Sequence, residues 1–162
     1  MKNFIIVFLL SIVLFACSTN KEPHSFINHG NIPIIEMVLD GDTVNMIIDS
    51  GAEYSIINSD YYKNNHLHFT PMNQMEVMFT GIGGEHIQIS DIVWTHTSLG
   101  RITFVEHDIS AVVKEFPNYN VAGLIGSDFL RQHNYVVDYK VRQIYPYELR
   151  DSVYAKINSK NR

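Results

Sequence analysis

Apolar and polar residues alternate in short runs from residue 32 onwards, first on either side of Asp40-Gly41. Alternation with a period of two predicts half-buried β-strands. An Asp-Gly pair between two such runs favours a two-residue hairpin, because both residues tolerate a positive φ. The apolar positions of this predicted hairpin are Ile35, Met37 and Leu39, followed by Val44, Met46 and Ile48.

Further runs of the same kind follow, with turn signals at residues 81–84 and 99–100 between them. Pro146 favours an edge position for the last strand. Helical patterns are short, and Ser127 or Asp128 is a candidate cap for the last of them. Many short strands and few helices predict a barrel or a sandwich. The predicted strands cover residues 75–79, 87–89, 102–104, 135–138 and 143–147, and the helices cover about 59–65, 109–115 and 128–133.

The N-terminus has a different pattern. Met1-Lys2-Asn3 precedes an apolar run over residues 4–15 that only Ser11 interrupts. This run is too short to span a bilayer comfortably, and its position is typical of a signal peptide. It ends in Leu14-Phe15-Ala16-Cys17, which resembles a bacterial lipobox whose cysteine becomes lipidated. An ordinary secretory signal with a chance cysteine is the alternative.

These patterns divide the chain into four predicted segments. Residues 1–16 are a lipoprotein signal peptide, and 17–30 form a flexible tether that starts at the lipidated Cys17. Residues 31–150 form the folded domain, and 151–162 are a polar C-terminal tail. We therefore expect an exported protein, anchored by lipid to a bacterial membrane. It would lie at the outer membrane, face the periplasm or lie at the cell surface.

Composition narrows the choice of partners and cofactors. The 162 residues carry a formal net charge of −5, with 12 Lys and Arg against 17 Asp and Glu, so no basic face favours nucleic acid. Cys17 is the single cysteine, which excludes an intrachain disulfide and a Cys-rich zinc site. His66-Leu67-His68 would place two rings on one strand face, but no carboxylate-rich set accompanies them. We expect solvated histidines, no metal and no cofactor.

The chemistry is concentrated where an acidic residue leaves a buried apolar strand. In Ile47-Ile48-Asp49-Ser50-Gly51-Ala52, the carboxylate of Asp49 follows apolar residues, and such surroundings disfavour its ionisation. Gly51 permits a tight turn with close backbone approach. The segment therefore predicts an aspartate presented at the tip of a strand, and a plain turn after a strand is the alternative.

This hexapeptide resembles the first signature of the retropepsin-like aspartic peptidases. Their second signature, two apolar residues and a glycine before a short helix and a strand, is similar to Leu124-Ile125-Gly126. The glycines of the two motifs are 126 − 51 = 75 residues apart, in the expected order. The resemblance covers about residues 32–147. It implies a mainly all-β fold, a small closed acid-protease β-barrel lobe with one or two short helices.

The resemblance also implies roles for individual residues. Asp49 matches the catalytic aspartate, and Ser50 matches the hydroxyl residue that braces two active-site loops across a dimer. Gly51 matches the residue whose backbone lies beside the substrate, and Ala52 completes the loop. The second motif matches a structural arm that crosses this loop. Asp128 is then a helix cap rather than a second catalytic carboxylate. The second motif consists of Leu124, Ile125 and Gly126.

One aspartate motif per chain offers half of an aspartic protease site. The resemblance implies a homodimer in which two carboxylates activate water and cleave a peptide or protein substrate. Two departures bear on this. Ser127 stands where many retroviral members have an arginine, so a dimer-supporting ion pair with Glu53 is absent. The cluster with Gly81, Gly83 and Gly84 is either the tip of a substrate-covering flap or a plain β-turn.

Two functions are therefore open. The intact Asp-Ser-Gly-Ala sequence favours an aspartic endopeptidase. The missing ion pair and the uncertain flap favour a catalytically inactive lipoprotein of the same fold, which would hold extended peptides by strand addition.

Overall fold

The computed structural model describes residues 22–81 and 84–160, so the predicted signal peptide and Cys17 lie outside the described residues. Strands make up most of the regular structure. The strands are β1 (His24–Ser25), β2 (Ile27–His29), β3 (Ile32–Leu39), β4 (Asp42–Ile48), β5 (Ile56–Asn58), β6 (Thr70–Gly81), β7 (Gly84–Thr97), β8 (Gly100–His107), β9 (Val121–Ile125), β10 (Tyr135–Asp138) and β11 (Gln143–Pro146). The α-helices are α1 (Ser59–Asn65), α2 (Ser110–Val113), α3 (Ser127–Gln132) and α4 (Arg150–Lys160).

Eight strands form one sheet in the order β2-β3-β4-β9-β5-β8-β7-β6. A further pairing between β3 and β7, at Leu39 and Thr97, closes six of them into a ring. This arrangement confirms the predicted mainly-β, closed barrel lobe. The described residues hold four α-helices, and three of them lie at the helical segments that the sequence predicted.

The β3–β4 hairpin forms as the alternation predicted. Asp40 and Gly41 occupy its turn with φ angles of 46° and 104°, the conformation that this pair tolerates. The strands are buried on both faces toward their other ends, where Ile34 pairs with Ile47. A strand covered on both sides needs apolar residues at successive positions, which explains the run Met46-Ile47-Ile48.

Two hydrophobic clusters fill the spaces on either side of these strands. The larger cluster lies inside the ring and the smaller lies beneath α2 and the segment that follows it. Members of the larger cluster include Ile35, Met37, Met46, Ile48, Phe104, Ile125 and Phe129. Members of the smaller cluster are Ile34, Ile47, Ile56, Ile109, Phe116, Val121 and Leu124.

The last predicted strand is not an edge strand. β11 lies in the centre of a three-stranded sheet between β1 and β10. β1 pairs only with Gln143 and Ile144, so Pro146 has a neighbouring strand on one side alone. Proline is tolerated there because the side without a neighbour requires no N–H donor.

The N-terminal boundary differs from the prediction. The prediction of a flexible tether over residues 17–30 is wrong for residues 22–30, which contain β1 and β2. Phe26 lies between these strands, is 4% exposed and contacts the ring of Tyr139 with centroids 5.8 Å apart. Burial of this aromatic side chain holds the segment against the domain. Residues 17–21 lie outside the described part of the chain.

The predicted polar tail is largely helix α4. Val153 of this helix is buried, and the Tyr154 hydroxyl donates a 2.6 Å hydrogen bond to Asp138. The buried Tyr145 hydroxyl donates to the same carboxylate at 2.9 Å. Burial acts to raise the pKa of Asp138, but hydrogen bonds from both tyrosines and two backbone N–H groups outweigh it and lower the pKa. The carboxylate therefore ties α4 to β11.

The remaining helices follow the sequence pattern closely. α1 occupies the predicted residues 59–65, whereas α2 is shorter than the predicted 109–115. The segment His66–His68 is a 3-10 turn rather than a strand, so its two histidines do not share a strand face. Within the described residues, none of the helices has the length and apolar composition needed to cross a membrane.

Candidate active site

Asp49 follows the last residue of β4 and is exposed at the tip of the strand. The N–H of Gly51 donates to its Oδ1 at 2.9 Å, and the N–H of Ala52 donates to its carbonyl at 3.2 Å. These bonds form a tight turn that orients the carboxylate. The expectation of apolar surroundings holds for the strand behind Asp49, whereas the side chain itself faces solvent in the single chain.

The second motif lies directly beside this turn. β9 runs parallel to β4, with Leu124 opposite Ile47 and Ile125 opposite Ile48. The N–H of Asp49 donates to the carbonyl of Ile125 at 2.9 Å. The structure therefore brings together the two motifs that lie 75 residues apart in the sequence, and it places Leu124, Ile125 and Gly126 along the loop that carries Asp49.

Two glycines permit β9 and the residue after it to lie close to the backbone of β5 and of the chain just before it. A Cβ added to Gly126 would lie 2.4 Å from the carbonyl oxygen of Tyr54. A Cβ added to Gly123 would lie 2.1 Å from the carbonyl oxygen of Ile56. Both obstacles are backbone atoms that cannot rotate away. The glycine of the second motif is therefore needed for close approach and not for an unusual φ angle.

Asp128 does not cap helix α3, which corrects the prediction. Gly126 occupies the cap position, and no side chain makes a capping hydrogen bond there. Asp128 Oδ1 instead accepts a 2.8 Å hydrogen bond from the hydroxyl of Ser55, which is fully buried. The same hydroxyl accepts the N–H of Gly126 at 3.0 Å. Ser55 thus links the chain after the aspartate loop to the second motif.

Ser127, which stands in the place of the arginine named above, contacts backbone atoms. Its N–H donates to the carbonyl of Ala52 at 2.8 Å, and its hydroxyl lies 3.5 Å from the carbonyl of Glu53. The N–H of Asp128 donates to the same Glu53 carbonyl at 3.2 Å. Backbone hydrogen bonds therefore hold the two motifs together, and the Glu53 side chain remains exposed.

Two cavities meet at Asp49. One, of about 330 Å³, is named here the Phe116 cavity. The other, of about 460 Å³, is named the Glu53 cavity. The Phe116 cavity is lined chiefly by Ile32, Ile47, Val112, Phe116, Leu124 and Tyr139. The Glu53 cavity is lined chiefly by Glu53, Tyr54, Ile56, Met78 and Leu124. A further cavity between residues 22–23 and α4 contains none of the predicted site residues.

The glycine cluster lies at the end of a long hairpin. β6 and β7 pair along their length up to Gly81 and Gly84, and residues 82–83, including Gly83, lie outside the described residues. Met78, three residues before the end of β6, lines the Glu53 cavity together with Asp49. The hairpin therefore reaches the candidate site, as a flap requires.

The family model described as aspartyl protease matches residues 35–129, more than half of the chain. The chain belongs to the aspartyl protease family. This finding confirms the predicted resemblance, and the matched region contains both motifs. No curated protein sequence matches this chain.

The fold of this chain is also similar to that of solved structures. EIAV protease in complex with an inhibitor is 17% identical, with a TM-score of 0.45, over 65% of this chain and 91% of that chain. The retroviral protease-like domain of Ddi1 from Leishmania major is 18% identical, with a TM-score of 0.45, over 70% of this chain and 86% of that chain.

The described histidines of this family member are not gathered into a metal site. His68 lies 3.6 Å from Asp42 and 4.0 Å from Asp40, at the far end of the β3–β4 hairpin from Asp49. Among the described residues, no three His, Cys, Asp or Glu side chains are arranged to hold a metal ion.

Sequence reasoning missed several residues of the candidate site. The only sequence signal for Ser55 is its position directly before the apolar pair Ile56-Ile57. Its hydrogen-bond partner, Asp128, is 73 residues away in the chain. Met78 and Tyr139 lie on strands or turns whose partners depend on the whole fold. No local pattern distinguishes them from ordinary apolar positions.

Proposed function

We propose that this protein is an aspartic endopeptidase that acts as a homodimer on peptide or protein substrates. One observation carries the proposal: Asp49 projects from a turn fixed by Gly51 and by the Ile125 carbonyl, at the point where two cavities meet. A peptide laid across this point would present its backbone to the carboxylate and its side chains to both cavities.

The chemistry needs a second carboxylate opposite the first. A C2 dimer supplies it as the symmetry-related Asp49, because an isologous interface repeats each residue across the axis. The pair shares one proton and titrates as a unit. One carboxylate removes a proton from water as it attacks the peptide carbonyl, and the other donates a proton to the carbonyl oxygen.

Exposed apolar residues beside Asp49 support a dimer surface. Ile32 and Tyr139 are 37% and 52% exposed in the single chain, and both line the Phe116 cavity. In the dimer, burial of the outward-facing parts of these two residues would stabilise association without an ion pair at Ser127, while the cavity itself remains open to substrate. The exposure of Ser50 next to Asp49 supports the proposed contact between the two loops.

Export and lipid attachment form a second part of the proposal. The apolar run at 4–15 and the lipobox-like Leu14 to Cys17 support a signal peptide that ends at Ala16. Lipid on Cys17 would hold the protease domain close to the membrane surface, since β1 starts at His24. Metabolic labelling with a fatty acid tests this directly, and label retained in Cys17→Ser would contradict it.

The catalytic proposal is tested with wild type and Asp49→Asn on a peptide library at mildly acidic and neutral pH. We expect cleavage by wild type only, and specific activity that falls as dilution dissociates the dimer in sedimentation measurements. Asp60→Asn, on the exposed first turn of α1, is the matched control and should cleave like wild type.

Two outcomes contradict the proposal. Full activity in a strictly monomeric preparation would exclude the shared site. No cleavage by a dimeric wild type that nevertheless binds peptides would favour the inactive peptide-binding lipoprotein.

A further inference from the structure

The two cavities that meet at Asp49 differ in chemistry. The Phe116 cavity is walled mainly by apolar side chains, and Asp49 is the charged residue among those of its lining that the structure describes. The Glu53 cavity carries a second carboxylate in addition to Asp49, and among the lining residues that the structure describes there is no Lys, Arg or His. A peptide that crosses Asp49 therefore meets an apolar pocket on one side and a negatively charged pocket on the other.

The Glu53 side chain is available to a ligand. It is exposed, and within residues 22–81 and 84–160 its carboxylate makes no ion pair. Its backbone, in contrast, is fixed, because the Glu53 carbonyl accepts the N–H of Asp128 at 3.2 Å. The carboxylate is thus anchored close to the Asp49 loop, and no residue in the described part of the chain neutralises its charge.

The apolar walls of the Glu53 cavity strengthen the effect of this charge. Ile56, Met78 and Leu124 line the same space. A Lys or Arg side chain can pack its apolar stem against such walls and place its charged end beside a carboxylate. Partial exclusion of water lowers the local dielectric, so the attraction exceeds that of a pair on an open surface.

We propose that Glu53 is a specificity-determining residue that selects peptides with a Lys or Arg close to the scissile bond, beside an apolar residue that enters the Phe116 cavity. This inference rests on the proposed endopeptidase function and names its substrate class: cationic, apolar-flanked extended peptides. In the dimer, the symmetry-related Glu53 gives the opposite end of the cleft the same preference.

The test uses pairs of peptides that differ only by Lys or Gln at each position around a cleaved bond. We expect wild type to prefer the Lys peptide by about threefold to tenfold in kcat/KM at one or two positions. This ratio should fall close to one in Glu53→Gln and be largely retained in Glu53→Asp. Glu36→Gln, at an exposed position of β3, should keep the wild-type ratio. Added salt should reduce the wild-type preference.

A parallel binding experiment separates this inference from the catalytic proposal. Fluorescence anisotropy measures the same labelled peptides on Asp49→Asn and on Asp49→Asn with Glu53→Gln, where cleavage does not interfere. The inference is supported if Asp49→Asn binds the Lys peptide more tightly and the added Glu53→Gln substitution removes this preference, even if wild type cleaves nothing. An equal ratio with and without Glu53, in cleavage and in binding, overturns it while leaving the endopeptidase function intact.

Discussion

The hydroxyl of Ser55 donates a 2.8 Å hydrogen bond to the carboxylate of Asp128, across 73 residues of chain. The same hydroxyl accepts the N–H of Gly126, so one fully buried side chain bridges the aspartate loop and the second motif. Asp128 is thereby a structural partner of the loop rather than a helix cap.

Replacing Ser55 with Ala should destabilise the domain. The substitution leaves the buried N–H of Gly126 without its acceptor and Asp128 without its donor, at a cost of about 1–3 kcal/mol in the free energy of unfolding. Urea titration followed by circular dichroism measures this cost. Ser25→Ala, at an exposed position of β1, is the control and should unfold like wild type. Equal stability of the two variants would show that the bridge contributes nothing.

Gly126→Ala should disrupt the approach of the second motif to the aspartate loop. The added Cβ would lie 2.4 Å from the Tyr54 carbonyl oxygen, so the backbone must shift, and we expect a loss of about 3 kcal/mol in stability. Gly30→Ala is the comparison, since Gly30 has a φ of 62° but open space around it. It should lose only about 1 kcal/mol from backbone strain. The prediction fails if thermal unfolding ranks the two variants in the opposite order.

Residues 22–30 should contribute to folding rather than act as a spacer. Phe26 is 4% exposed, and Phe26→Ala should cost about 3–5 kcal/mol through lost burial and a cavity. The adjacent Ile27 is 50% exposed, and Ile27→Ala should change stability by no more than about 0.5 kcal/mol. Denaturant midpoints of the two variants check this, and similar midpoints would restore the tether interpretation.

Stability should fall at high pH because of Tyr145. Burial and the hydrogen bond to Asp138 raise the pKa of Tyr145 from 10.0 to about 12. Between these values the unfolded chain loses the proton while the folded chain retains it, so this stabilisation is present below pH 10 and is lost as pH rises toward 12.

Tyr145→Phe removes this titration. The decline in unfolding free energy from pH 10 to 12 should be smaller than in wild type by about 2 kcal/mol. Denaturant unfolding across this pH range measures the difference. A Tyr145→Phe curve parallel to that of wild type would contradict the assignment.

Much of the fold could be predicted because its signals are local. Turn chemistry at Asp40-Gly41 and alternation on either side determined the β3–β4 hairpin, and residues 59–65 determined α1. The two motifs and their order were sufficient to predict the family. In each case, a few neighbouring residues carry the physical preference.

Tertiary structure decided what depends on partners distant in sequence. Short segments such as His24–Ser25 and Ile27–His29 become strands only because β11 and β3 offer edges to them, and Phe26 finds a core. Local polarity alone favoured a tether there.

The same division applies to the candidate site. The sequence by itself determined that Asp49 ends an apolar strand in a tight turn and that Gly126 belongs to a second motif. Only the tertiary structure decided that β9 lies between β4 and β5, that Ser55 meets Asp128, and that Glu53 and Met78 share a cavity with Asp49. The alternation of apolar and polar residues and the residues of the turns determine single strands. The order of the strands in the sheet depends instead on how the whole chain buries its apolar faces.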